Sequence, residues 1–146
     1  MSEPHDAQQV AVANKLFGNS ADIPPAFISL LIKRGAGSAR HVVASADDAK
    51  GEFYAYWLQG QLLRGATYRG KAHEASADEF AYGLSTLNDV KTAYKFEYDD
   101  AQQRHTNWTH TVTIQFQDAE PIVIENITEG TDRSRFVKAL FDAWAG

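Results

Sequence analysis

The chain has 146 residues, a formal net charge of −5, and no Cys. That length suits one domain able to bury roughly 70% of its unfolded surface. The lack of Cys excludes disulfides, thiolate-bound zinc, iron–sulfur clusters and Cys nucleophiles. Hydrophobic residues make up 44% and charged residues 23%, an ordinary globular balance. No apolar run approaches the roughly 18–20 residues of a membrane span. The start Met1-Ser2-Glu3-Pro4-His5-Asp6 lacks the basic and apolar stretches of a secretory signal, so a cytoplasmic location is expected. Charge is uneven: residues 1–73 carry eight basic and six acidic side chains, net +2, whereas residues 74–146 carry six and thirteen, net −7. Nucleic acid and anionic membrane both reward clustered Lys and Arg, so neither is expected as a partner.

Two short helices are predicted first. Asp6 and Gln9 fit a capping-box variant ahead of Val10, Ala13, Leu16 and Phe17, and Gly18 suits the stop. Ile23-Pro24-Pro25 starts the second helix, where Pro is tolerated because its missing donor is not needed in the first turn. Phe27, Ile28, Leu30, Leu31 and Ile32 follow, then Lys33, Arg34 and Gly35. Helix is favoured over residues 27–33; a strand stays open, because a short apolar run does not settle its own period.

From His41 the period becomes two. Residues 41–45 read as a strand, residues 46–51 as a turn, and residues 52–58 as an aromatic strand. Phe53, Ala55 and Trp57 lie on one face of it, Tyr54, Tyr56 and Leu58 on the other. Gln59-Gly60-Gln61 is a tight hairpin and residues 62–69 return. Residues 70–79 read as loop and residues 80–87 as a short strand. Val90, Thr92, Tyr94, Phe96 and Tyr98 alternate with polar neighbours, predicting a half-buried strand with one wet face. After a polar loop, Trp108, His110, Val112, Ile114 and Phe116 alternate with Thr and Gln. Residues 122–127 form the last strand, and Thr131 caps a terminal helix striped by Phe136, Leu140 and Trp144. Short hairpins exclude a parallel fold, which needs long crossovers. The expected class is α+β: a bent antiparallel sheet or partly open barrel of about seven strands, preceded by two short helices and capped by a C-terminal helix.

Searches for chemistry give little. His5, His41, His73, His105 and His110 show no metal-ligand spacing, and His110 reads as a core-edge imidazole with one hydrogen-bond partner. Gly83-Leu84-Ser85 lacks the second Gly of a nucleophile elbow, and Gly35-Ala36-Gly37-Ser38 follows no strand as a phosphate loop would. Asp47-Asp48, Asp78-Glu79 and Asp99-Asp100 are acids in polar loops, with nothing to desolvate them. No catalytic residue, cofactor or metal is expected. The sequons at Asn107 and Asn126 are chance matches without a secretory signal. The remaining candidate is Tyr54 and Tyr56 with Arg64, Arg69 and Lys71 from the paired strand and its loop. They form an aromatic–basic groove unless the N-terminal helices cover the tyrosines.

The element order resembles the pleckstrin-homology-like (PH-like) fold of small bacterial domains. The resemblance is carried by Ile23-Pro24-Pro25-Ala26-Phe27 running to Gly35, by residues 41–48 and 52–58, by Leu84-Ser85-Thr86-Leu87-Asn88-Asp89-Val90, and by the terminal helix over residues 135–144. It covers residues 22–146 as a single domain, with residues 1–21 as a helical extension. It implies a non-enzymatic protein- or peptide-binding module. Phosphoinositide-binding members place several Lys and Arg between the first two strands, but here that loop holds Asp47, Asp48 and only Lys50. Phosphoinositide membrane binding is therefore not expected. Two alternatives stand beside this: an acidic inhibitor or immunity-type protein blocking a basic partner, and a small-molecule binder using the sheet interior. A homo-oligomer would form through an open strand edge or the Tyr54–Tyr56 face.

Overall fold

The computed structural model describes residues 7–18, 23–47, 50–70 and 72–145. The predicted cap Asp6, the acid Asp48 and the groove residue Lys71 lie outside them. Three helices and seven antiparallel strands alternate as α1 (Ala7–Phe17), α2 (Pro25–Lys33), β1 (Val42–Asp47), β2 (Glu52–Gln59), β3 (Leu62–Arg69), β4 (Ser76–Gly83), β5 (Leu87–Asp99), β6 (Arg104–Phe116), β7 (Ile122–Ile127) and α3 (Asp132–Ala145). The class is α+β as expected, but the strands do not make one bent sheet or a barrel. They form two open sheets, ordered β1-β2-β3-β4 and β5-β6-β7. The break falls at Leu84–Thr86, a short 3-10 turn between β4 and β5. The chain divides into two compact units, Met1–Ala81 and Tyr82–Gly146.

In the first unit the helical alternative for residues 27–33 prevails. Pro25 sits in the first turn of α2, and Gly35, at φ 90°, takes the left-handed conformation that ends it. Phe27, Ile28 and Leu31 are buried. They share a core with Ala13 and Leu16 of α1 and with Phe53, Ala55 and Trp57 of β2. Helix α1 therefore docks. Lys15 Nζ donates to the carbonyls of Gly37 (2.7 Å) and Ala39 (3.2 Å), and Gln9 Nε2 donates to Ser29 Oγ at 2.7 Å. Strand β2 pairs with β3 in the register Tyr56↔Gly65 and Trp57↔Arg64, closed by the two-residue turn Gly60-Gln61. The helices cover the Phe53–Trp57 face, the opposite of the face that bears Tyr54 and Tyr56.

Strand β4 is where the sequence misleads. The stretch expected as loop to residue 79 is strand from Ser76, and the strand expected over residues 80–87 ends at Gly83. Ser76, Asp78 and Glu79 are exposed, so β4 lacks the apolar alternation that marks a half-buried strand. Beside its pairing with β3, side chains fasten it. Arg34, at the end of α2, makes a 2.9 Å ion pair with Glu79. The guanidinium hydrogen bond holds the Glu79 carboxyl below the usual glutamate range, so this contribution is present above that range and is lost as pH falls through the lowered value.

In the second unit the buried residues come from the Leu84–Thr86 turn, β5–β7 and α3, among them Leu84, Val112, Ile114, Phe116, Ile122, Ile124, Ile127, Phe136 and Leu140. Thr131 caps α3 as expected, its Oγ1 accepting from Ser134 N at 3.3 Å. The stripe on α3 fades at its end, where Trp144 is exposed.

Gly65 is the tightest point of the first sheet. A Cβ there would lie 2.7 Å from Tyr56 Cδ1 and closer still to the Phe80 ring. Gly65→Ala is expected to destabilise the protein by about 1–3 kcal/mol through overpacking. A urea denaturation midpoint equal to that of the unsubstituted protein would contradict this packing.

Candidate docking site on the long hairpin

Lengths decide what the second sheet can cover. Strands β5 and β6 have 13 residues each, roughly 44 Å at about 3.4 Å per residue. Strand β7 has six residues, or roughly 20 Å. Helix α3 has 14, or roughly 21 Å at 1.5 Å per residue. Strand β7 pairs with β6 only between His110 and Ile114. Among the described residues, no third strand pairs with the hairpin beyond His110.

One face of the hairpin therefore changes character along its length. Val112 and Ile114 are fully buried, while farther out Tyr94, Phe96 and Tyr98 are each more than half exposed and Trp108 is 44% exposed. The register pairs Tyr94 with His110, Phe96 with Trp108 and Tyr98 with His105. Ring centroids lie 5.5 Å apart for Tyr94 and His110, 6.5 Å for Phe96 and Trp108, and 5.5 Å for Tyr98 and His105. These aromatic pairs steady a ribbon that would be marginal by itself in water. The expectation of a half-buried β5 with one wet face is thus corrected: residues 91–98 are exposed on both faces.

Ile127 pairs with His110, so the turn after β7 brings Glu129 to the edge of this aromatic row. Tyr94, Phe96, Trp108, His110 and Glu129 together line an open depression of about 350 Å³. His110 is half-buried, and its Nδ1 is shielded from solvent with no hydrogen-bond partner, unlike the satisfied core-edge imidazole expected. A wall of three aromatic rings with one carboxylate can hold apolar or positively charged groups. Among the described residues, no group of three or more His, Asp or Glu side chains is arranged to hold a metal ion. No described helix is long and apolar enough to cross a membrane.

The groove expected around Tyr54 and Tyr56 is distributed differently. Tyr54 and Tyr56 stack at 4.6 Å, and Phe80 of β4 lies 5.7 Å from Tyr56 across Gly65. Burial, with the neighbouring Tyr54 adding to it, pushes the Tyr56 phenol from 10 up to about 12. Phe80, not the N-terminal helices, is what meets the Tyr56 ring. Arg64 sits on the opposite face, its guanidinium 5.8 Å from the Trp57 ring centroid and its Nη1 donating to Gln59 Oε1 at 3.0 Å. Arg69 lies 3.9 Å from Asp78. The structure thus brings the two tyrosines together and places Arg64 away from them.

Sequence reasoning missed the hairpin site because its alternation is the same signal that marks a core strand. The usable clue was length: a six-residue strand and one helix cannot cover 13-residue neighbours.

Two measurements check these assignments. Phe96→Ala is expected to cost no more than about 1.5 kcal/mol, the scale of an exposed aromatic pair, and Ile114→Ala about 2–5 kcal/mol; equal losses in chemical denaturation would contradict the exposure of the row. An absorbance titration at alkaline pH is expected to show one phenolate step near pH 12 that Tyr56→Phe removes. Because this pKa is raised in the folded state, its contribution to stability is full below pH 10 and is lost as pH rises towards 12.

No protein-family model, curated protein or solved structure matches this chain.

Proposed function

We propose that the protein is a non-enzymatic interaction module that binds another protein or a peptide through the outer face of the β5–β6 hairpin. The observation that carries this is the row of Tyr94, Phe96, Tyr98 and Trp108, all exposed on one face of an uncovered ribbon. Aromatic side chains of this kind dominate binding energetics, and contiguous exposed apolar surface is uncommon unless something docks on it. The order of helices, seven antiparallel strands and a terminal helix also supports the pleckstrin-homology-like reading, in which binding rather than catalysis is the expectation.

The test is affinity capture from native lysate with the unsubstituted protein and with Phe96→Ser/Trp108→Ser. The expected result is a specific protein partner that the double variant loses while its circular dichroism spectrum is retained. A partner held equally by the variant, or no protein partner with either form, would overturn the assignment of this face.

A further inference from the structure

The depression on the hairpin has a definite chemistry. Among the described residues, Tyr94, Phe96 and Trp108 line it with their rings, and Glu129 is its one acidic or basic member apart from His110. Among the described residues, no Lys or Arg lines it. Lys91 and Lys95 occupy the alternate positions of β5, on the other face from Tyr94 and Phe96. Aromatic faces carry negative electrostatic potential, so rings beside a carboxylate attract a positive group and offer nothing to an anion. The unit around them adds to this bias: residues 82–146 contain ten acidic and six basic side chains. A second copy of this chain would bring the same acidic surface to the face, which disfavours self-association there.

On the reading that this face docks a partner, we propose that the depression receives the alkylammonium group of a partner's lysine side chain. The rings would enclose the ε-carbon and nitrogen, and Glu129 would balance the charge from the rim. A flexible lysine reaching into an aromatic wall keeps its apolar stem against the rings, so both parts of the side chain are matched. The site selects for charge as well as for size.

Two small probes separate those contributions. Choline and 3,3-dimethylbutan-1-ol share a shape and differ in the charge of the central atom. Each is titrated into the full chain while the Trp108 indole resonance is followed by NMR. Choline is expected to shift that resonance saturably, with the neutral isostere binding about tenfold more weakly. Glu129→Gln is expected to weaken choline by about two- to fivefold, as befits an exposed carboxylate, and to leave the isostere unchanged. Nα-acetyl-lysine methylamide should shift the same resonance, and its Nε-acetylated form should not.

Equal binding of choline and its isostere would overturn the ammonium assignment, as would no shift with either probe or equal binding of the acetylated lysine. The docking-face reading would survive those results, since the Phe96→Ser/Trp108→Ser capture tests it separately. Choline binding together with a partner retained by that variant would overturn the assignment to a partner's lysine.

Discussion

The second unit is governed by a mismatch of lengths. A hairpin of two 13-residue strands is paired along its inner part by a six-residue strand and followed by a helix of roughly 21 Å. Where pairing and cover exist, the side chains facing inward are Val112, Ile114 and Phe116, all fully buried. Where they stop, the same alternation continues with Trp108, Phe96 and Tyr94 and meets solvent. The hydrophobic effect supplies the inner half with its stability, but the outer half depends on cross-strand ring contacts and ladder hydrogen bonds. The candidate site exists because the pattern of a core strand outlasts the core.

The first unit solves a different problem. Its sheet carries helices on one face, and the Phe53, Ala55 and Trp57 stripe seals against α1 and α2. On the other face Gly65 leaves a gap in the row, through which Tyr56 and Phe80 approach each other from strands that are not neighbours. Together with the Arg34–Glu79 pair, this contact fixes a strand that is largely exposed. Strand β4 is held by tertiary interactions that local pattern does not encode.

Much of the architecture was legible in the residues. The helix stop at Gly35, a tight hairpin turn about Gly60, the faces of β2 and the Thr131 cap follow from local chemistry, and the structure contains each. Two features were not. The division into two sheets depends on where a ladder breaks; Gly83 signals a turn there, but a turn does not say whether the strands on either side of it stay in one sheet. The candidate site was hidden because periodicity tells which residues share a face, not whether anything covers it. Arg64 was misjudged for the same reason of scale: adjacency to β2 was clear, but the register that sets Arg64 opposite Trp57 rather than Tyr56 is fixed by the turn.

A bare ribbon edge is ordinarily a hazard. Strand β5 is the terminal strand of its sheet, with 13 residues of backbone and a run of exposed rings, the kind of template on which chains stack into cross-β assemblies. Its alternate positions answer that hazard: Lys91, Lys95 and Glu97 place charge on the face opposite the rings, and the register shift between Glu97 and Tyr98 interrupts the regular ladder near the hairpin tip. Stacked identical chains would have to align lysine on lysine every 4.7–4.8 Å. The same strand that offers its rings to a partner thus carries gatekeepers against stacking with copies of itself.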